Sequence, residues 1–122
     1  MNTALILAGG LGSRINSDVP KQYCIVDNKP IISYCLKVFE ENENISSILI
    51  VAEESWHCFL QDWIIKENIT KFCAFAKPGT TRSLSILSGL NKISEISGDT
   101  DLVVVHDAAR PLVSRELIDR CI

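Results

Sequence analysis

Four short apolar runs divide the chain and predict buried β-strands. They occupy residues 4–7, 48–51, 72–75 and 102–105. Three of the runs show no alternation between polar and apolar positions, which is typical of strands covered on both faces in a parallel sheet. The pattern therefore favours a sheet whose strands lie in the middle of the molecule.

Segments between these runs place apolar residues at helical spacing. The first predicts a helix over Ile31–Glu41, with Pro30 suited to its start. Ser55 is predicted to cap a second helix, and a fourth is predicted to begin at Ser114. The apolar stripe of the third helix comprises Leu84, Leu87 and the run from Leu90 to Ile93.

Strands that alternate with helices predict an α/β fold. The expected architecture is a Rossmann-like three-layer αβα sandwich with a mostly parallel sheet. Because ligands of such sheets bind at the carboxyl ends of the strands, the segments after each run are the places to search for a site. The segments after the first, third and fourth runs are chemically distinctive.

Composition bounds the possible functions. The chain has 122 residues, 47% hydrophobic and 22% charged, as expected for one globular domain. Its net charge of -3 argues against a nucleic-acid surface, although local cations and backbone amides can still bind a small anion. With no long apolar run and no basic leader, neither a membrane span nor a signal peptide is expected, so we expect a cytoplasmic protein.

The cysteines indicate neither a disulfide framework nor a zinc site. Their number is odd and no pair has C-x-x-C spacing. We interpret all five as small buried apolar residues in a reducing compartment. They are Cys24, Cys35, Cys58, Cys73 and Cys121.

A glycine-rich segment follows the first predicted strand. It begins at Ala8, and its small residues allow backbone N–H groups to approach a phosphate, while two nearby cations supply positive charge. The glycines are Gly9, Gly10 and Gly12, and the cations are Arg14 and Lys21. Two standard phosphate-binding motifs do not match this segment. A dinucleotide fingerprint would need a third glycine where Ile15 stands, and a Walker A motif would need a lysine where Ser13 stands. The segment is predicted to hold a triphosphate; the alternative is a plain turn with solvated cations.

Asp107 follows the fourth run at the carboxyl end of a predicted strand. A carboxylate there suits Mg²⁺, which often takes one or two protein carboxylates together with phosphate oxygens. A helix cap or an ion pair with Arg110 is the alternative. His106 is expected to orient neighbours by hydrogen bonding rather than to bind this hard ion, and His57 is expected at the surface.

Three strings of residues together resemble one enzyme family. They are Leu7-Ala8-Gly9-Gly10-x-Gly12-x-Arg14 with Pro20-Lys21-Gln22-Tyr23, then Gly79 with Arg82, Ser85, Gly89 and Leu90, and finally His106-Asp107-Ala108-Ala109-Arg110-Pro111. They resemble the cytidylyltransferases that act on 2-C-methyl-D-erythritol 4-phosphate or ribitol 5-phosphate, of the nucleotide-diphospho-sugar transferase fold type. On its own, the segment around Ser85 indicates only a turn and a helix start.

The resemblance implies roles for individual residues. It implies that Arg14 and Lys21 are catalytic and that Asp107 binds Mg²⁺. The nucleotide-binding residues implied are Ala8, Gly9, Gly10, Gly12, Gly79, Arg82, Ser85 and Ala108. Two departures concern the segment that contacts the base: Pro78 replaces a usual glycine, and Thr80 stands where an acidic residue is common. In the family this segment lies against the cytosine base, so selectivity for the base is the part of the resemblance that these departures weaken most.

The implied reaction transfers CMP from CTP to a polyol phosphate and releases pyrophosphate. Which polyol phosphate serves as acceptor stays open, and a homodimer is implied for the complete protein. The resemblance covers all of this chain but only the first half of a family chain, which suggests a truncated form. A catalytically deficient nucleotide-binding module is the alternative function, while Ile15 disfavours a Rossmann oxidoreductase.

Overall fold

The computed structural model describes residues 2–9, 20–96, 100, 102–109 and 120. Their strands are β1 (Asn2–Leu7), β2 (Ile25–Val26), β3 (Lys29–Pro30), β4 (Ser47–Val51), β5 (Phe72–Ala76) and β6 (Leu102–Asp107). The helices are α1 (Ile31–Glu41), α2 (His57–Lys66) and α3 (Arg82–Ile96), and 3-10 turns lie at Lys21–Tyr23 and Glu54–Trp56. All four predicted strands are confirmed, and α1 matches its predicted bounds. The fourth predicted helix, from Ser114, lies outside the described residues except for the helical Arg120.

The main sheet has four parallel strands in the order β5-β4-β1-β6. From β1 the chain passes through α1 to β4 and through α2 to β5, always in one direction across the sheet. It then returns through α3 to β6, on the other side of β1. This reversal makes the boundary between β1 and β6 a topological switch point, where α/β sheets open a crevice for ligands.

Helices cover both faces of the sheet, which confirms the three-layer architecture. Alternate residues of β1 point to opposite faces. Ala4 and Ile6 belong to one core with residues of α1 and α2, whereas Leu5 belongs to a second core with Ile93 of α3. The members of the first core from the helices are Ile32, Cys35, Leu36, Phe39, Leu60 and Ile64.

The buried face of α3 differs from the predicted one. Ser85, Gly89 and Ile93 are buried, whereas the predicted stripe residues Leu84, Leu87 and Leu90 are exposed by 47%, 52% and 39%. The reason is that the helix lies very close to the sheet. A Cβ on Gly89 would lie 2.4 Å from Leu5 Cδ1, so small residues lie at the closest approach to the strands, and Ile93 is the member of the predicted stripe that is buried.

Two side chains near the start of α2 differ from the predictions. Ser55 does not cap α2, because it lies inside the Glu54–Trp56 turn, whose backbone leads directly into the helix. His57 is half-buried rather than fully exposed at the surface: its ring stacks on Phe75 at 3.9 Å, and its Nε2 lies 3.0 Å from the carbonyl oxygen of Ala52.

The cysteines are not uniformly buried. Cys35 is buried and Cys24 is half-buried, but Cys58 and Cys73 are exposed. Cys73 lies at an irregularity in the pairing of β5 with β4, and its Sγ lies 3.2 Å from the carbonyl oxygen of Ile48. The fifth predicted position, Cys121, lies outside the described residues.

A small antiparallel hairpin, β2–β3, has no counterpart in the predictions. Its two turn residues, Asp27 and Asn28, have φ angles of 51° and 72°. Asp and Asn adopt this left-handed conformation more readily than other side chains, which suits a tight hairpin turn. Within the part of the chain that the structure describes, no helix combines the length and hydropathy needed to cross a bilayer.

Candidate active site

The carboxyl ends of β1 and β6 lie side by side at the switch point. Asp107, the last residue of β6, is opposite Leu7, the last residue of β1. The Ala108 amide then donates to the Leu7 carbonyl over 2.9 Å, and the Ala8 amide donates to the Val51 carbonyl over 2.8 Å. These bonds fix the exits of both strands, so the glycine segment and Asp107 leave the sheet at one edge.

Arg82 reaches the same edge from the start of α3. Its Nε lies 3.4 Å from Oδ1 of Asp107, and the two side chains are 61% and 37% exposed. The helix start is capped by Thr81, whose Oγ1 accepts a hydrogen bond from the Leu84 amide at 3.2 Å. An exposed ion pair of this kind contributes only about 0–1 kcal/mol, so a charged ligand can compete for either partner.

The loop between β5 and α3 lies against the glycine segment. A Cβ on Gly9 would lie 2.3 Å from the Cβ of Pro78, so the two backbones approach as closely as glycine permits. The next residue, Gly79, donates its amide hydrogen to Ser85 Oγ at 2.9 Å. Ser85 is buried, so this bond ties the loop to the inner face of α3.

The turn Lys21–Tyr23 is attached to the start of the glycine segment. Gln22 Nε2 and Tyr23 Oη both donate to the carbonyl oxygen of Ala8, over 2.6 Å and 3.1 Å. Both side chains are buried, whereas Lys21 beside them is exposed. Sequence reasoning used these residues only as part of a family string, and their buried contact was not predicted.

The structure therefore brings together six of the predicted site residues at one edge of the sheet. These are Ala8, Gly9, Gly79, Arg82, Ser85 and Asp107. Lys21 belongs to the turn attached to Ala8. Ala108 is completely buried under the same edge. Gly10, Gly12 and Arg14 lie outside the described residues, as does Arg110, the alternative partner of Asp107.

His106 lies on the face of the sheet covered by α1. Its ring centroid is 5.6 Å from that of Phe39. The neighbouring Asp107 reaches Arg82 at the start of α3. This alternation, which follows from the pleat of the strand, places His106 on the opposite face from Asp107, and its orienting role by hydrogen bonding stays a prediction.

The residues at this edge fit Mg²⁺ arriving with a nucleotide. Asp107 offers a partly exposed carboxylate beside a predicted triphosphate-binding segment. Among residues 2–9, 20–96, 100, 102–109 and 120, no three His, Cys, Asp or Glu side chains converge on a possible metal position. Because Mg²⁺ commonly takes one or two carboxylates and completes its shell with water and phosphate oxygens, a single carboxylate is sufficient here.

Comparison with known families gives a match over nearly the entire chain. Residues 2–122 match the family described as 2-C-methyl-D-erythritol 4-phosphate cytidylyltransferase. The match therefore includes every residue that the strings above contain.

Curated relatives carry names for both acceptors. The chain is 44% identical over 121 residues to a ribitol-5-phosphate cytidylyltransferase of Vibrio parahaemolyticus, covering 98% of this chain and 51% of that protein. It is 37% identical over 121 residues to a 2-C-methyl-D-erythritol 4-phosphate cytidylyltransferase of Lachnospira eligens, covering 99% and 52%. The chain thus spans about half the length of the curated relatives it matches.

Solved structures agree with this relationship. The 4-diphosphocytidyl-2C-methyl-D-erythritol synthase of Anaerococcus prevotii superposes with a TM-score of 0.80 at 25% identity, covering 98% of this chain and 48% of that one. The bifunctional IspDF of Campylobacter jejuni superposes with a TM-score of 0.71 at 28% identity, covering 98% and 29%. From its sequence match and its sheet, the chain belongs to the 2-C-methyl-D-erythritol 4-phosphate cytidylyltransferase family.

Proposed function

We propose that the carboxyl edge of this sheet binds CTP with Mg²⁺ and supports transfer of CMP to a polyol phosphate. The supporting observation is the meeting of Asp107, Arg82 and the start of the glycine segment, Ala8 and Gly9, at the switch point between β1 and β6. A cationic side chain, an anionic side chain and a glycine-rich backbone at one edge suit a triphosphate and its metal better than an uncharged ligand.

The proposed reaction needs no nucleophile from the protein. A phosphate oxygen of the acceptor attacks the α-phosphorus of CTP, and the bond from that phosphorus to the bridging oxygen of the β-phosphate breaks. CMP becomes joined to the acceptor phosphate, and pyrophosphate leaves with the electron pair of the broken bond. The protein contributes by positioning the two anionic reactants and by stabilising the charge of the transition state.

Lys21 and Arg14 are the residues proposed to stabilise that charge. Lys21 is exposed and lies in a turn attached to Ala8, the residue at which the glycine segment begins, and this attachment supports the proposal. A fixed ammonium there would stabilise negative charge on the α-phosphate and on departing pyrophosphate. The part proposed for Arg14 rests on its position in the family string.

Asp107 is the residue proposed to hold Mg²⁺. When bound, the ion offsets the mutual repulsion of the phosphate oxygens. Arg82 balances the charge of Asp107 at this edge, and both side chains are exposed enough to reach a triphosphate. Arg82 is therefore proposed as a nucleotide-binding residue through the same phosphates.

The backbone of Ala8 is already engaged, which limits how the glycine segment can bind phosphate. Its amide donates to Val51, and its carbonyl accepts from Gln22 and Tyr23. We therefore assign the phosphate contacts to the amides of Gly9, Gly10 and Gly12, with Ala8 as their anchor. The bond between Gly79 and Ser85 would likewise shape the loop beside the base. Ala108 is completely buried, so its contact with the ribose is proposed from the family pattern alone.

The acceptor is proposed as a class rather than as one compound. Relatives named for ribitol-5-phosphate and for 2-C-methyl-D-erythritol 4-phosphate match this chain at 44% and 37% identity. Both names describe a phosphorylated polyol. The chain matches about half of each relative, so the choice between the two acceptors rests on an assay with both compounds.

Calorimetric titration tests nucleotide binding directly. CTP with Mg²⁺ is expected to bind more tightly than ATP or GTP, and Asp107→Ala is expected to weaken that binding. Asp62→Ala is the matched control, since Asp62 is an exposed carboxylate on α2. Equal binding of all three nucleotides, or unchanged binding in the Asp107 variant, would overturn the proposal.

A further inference from the structure

We propose that Gln22 and Tyr23 are positioning residues that hold Lys21 and the start of the glycine segment, Ala8 and Gly9, in one fixed relationship. The inference rests on the proposed function of Lys21. Its structural basis is the shared acceptor: one carbonyl oxygen, that of Ala8, receives hydrogen bonds from both side chains. Two consecutive residues of the turn are thereby attached to one point of the chain.

The environment makes this attachment rigid. Gln22 is 3% exposed and Tyr23 is 2% exposed. The Tyr23 ring stacks on Trp56 at 4.1 Å and meets Phe59 edge-on at 5.5 Å. These aromatic contacts fix the ring from the side of α2, so its hydroxyl has one available direction.

Chemistry at the shared acceptor favours a permanent contact. A carbonyl oxygen has two lone pairs and can accept both bonds at once. Burial raises the pKa of Tyr23 above its ordinary value, so the phenol keeps its proton and remains a donor at neutral pH. Losing both donors would deprive the buried Ala8 carbonyl oxygen of these partners, which is more costly than losing an exposed contact.

The turn itself transmits this constraint to Lys21. The Tyr23 amide donates to the Pro20 carbonyl at 3.0 Å, and the Cys24 amide donates to the Lys21 carbonyl at 3.1 Å. Lys21 therefore has a fixed backbone, with its side chain directed to the exposed side while its neighbours point inward. In a reaction catalysed by placement of charge, a shift of about 1 Å in such a cation can cost about a hundredfold in rate.

A double-mutant cycle with Lys21 separates positioning from general support of the fold. Gln22→Met keeps the length of the side chain and removes the donor. This variant is expected to lower kcat for pyrophosphate release by about tenfold or more, with a smaller change in the KM for CTP. In a Lys21→Ala background, Gln22→Met is expected to lower kcat little further, because Gln22 is proposed to act on the reaction only through Lys21. If the loss of kcat in the double variant equals the product of the losses in the two single variants, the inference is overturned.

Two control variants set the baseline. Thr3→Val removes a buried hydroxyl that bonds Ser47 at 2.9 Å, at the opposite end of β1, and is expected to lower stability without changing kcat. Tyr34→Phe removes the hydroxyl that donates to the Val26 carbonyl oxygen in the hairpin, and it is expected to change neither stability nor kcat. Tyr23→Phe keeps the stacked ring, so it provides a second test if Gln22→Met fails to fold.

Amide hydrogen exchange supplies a readout that does not depend on activity. Gln22→Met and Tyr23→Phe are expected to speed exchange at Ala8, Gly9 and the turn, whereas Thr3→Val is not. Unchanged exchange at these amides would contradict the positioning role even in a protein that releases no pyrophosphate. A wild-type protein without pyrophosphate release would contradict the proposed function, while raised exchange in the variants would still support the attachment itself.

Discussion

Pro78 lies directly against Gly9, so that a Cβ added to Gly9 would be 2.3 Å from the Cβ of Pro78 and 2.9 Å from its Cγ. The glycine segment and the loop between β5 and α3 are therefore in contact at the carboxyl edge of the sheet. In the family string a glycine is usual at the position of Pro78. Because the ring of Pro78 stands in place of that glycine, this protein has no space for a side chain at position 9.

This contact predicts the effect of Gly9→Ala. Real Cβ atoms essentially never approach another heavy atom so closely, so one of the two loops must move. We expect weaker CTP binding by calorimetry together with a lower midpoint of thermal unfolding. Pro78→Gly removes the obstructing ring, so adding it to Gly9→Ala is expected to restore much of the affinity. A double variant as impaired as Gly9→Ala alone would show that this contact is not the cause.

Close packing of α3 on the sheet predicts that Gly89→Ala is destabilising. The new methyl group would lie 2.4 Å from Leu5 Cδ1 and 3.1 Å from Val51 Cγ2, both in fully buried side chains. Overpacking of this kind costs about 1–3 kcal/mol, whereas replacing glycine within a helix gains about 1 kcal/mol. We expect a net loss in the free energy of unfolding, measured with denaturant. Asn91→Ala, at an exposed position of the same helix, is the control and is expected to change stability little.

The carboxylate of Glu40 predicts a pH dependence of stability. It accepts hydrogen bonds from the Thr70 amide at 2.8 Å, the Thr70 hydroxyl at 2.6 Å and the Lys71 amide at 2.9 Å. Burial alone would raise its pKa, but these bonds and the charge of Lys71 outweigh burial and lower the pKa below 4.5. A lowered folded-state pKa gives stability that is present above the unfolded-state pKa and is lost as the pH falls through the folded-state pKa.

Glu40→Gln is therefore expected to lower the free energy of unfolding at neutral pH. The difference from the wild type should shrink as the pH falls through the lowered folded-state pKa of Glu40, where the carboxylate becomes protonated. Denaturant titrations at neutral and acidic pH measure this directly. Glu41→Gln serves as the control, since Glu41 is exposed and lies 4.0 Å from Lys37. A constant difference across the pH range would exclude the ionised carboxylate as its source.

Strand positions and the extent of α1 followed from the sequence because burial on both faces leaves a simple pattern. The orientation of α3 did not follow. Leu84, Leu87 and Leu90 form an apolar stripe, but the helix buries Ser85 and Gly89 instead. Apolar spacing identifies a helix without showing how closely it approaches a sheet, and here the approach requires small side chains.

The candidate site was predictable as a set of residues but not as a set of contacts. The motifs named Arg82 and Asp107, yet their pairing depends on α3 returning the chain to the far side of β1. The bonds from Gln22 and Tyr23 to Ala8 likewise depend on where the turn lies in space. Contacts between segments distant in sequence required the structure.

Pyrophosphate release tests the central claim most directly. The assay uses the purified protein with Mg²⁺, each nucleotide, and either ribitol 5-phosphate or 2-C-methyl-D-erythritol 4-phosphate. We predict release only with CTP and one of these polyol phosphates, and a loss of at least about a hundredfold in Asp107→Asn, which keeps the shape of the side chain but not its charge. Asp62→Asn should leave the rate unchanged. Release that persists in Asp107→Asn, or that is equally fast with ATP, would contradict the account, and CTP binding without any release would favour a nucleotide-binding module instead.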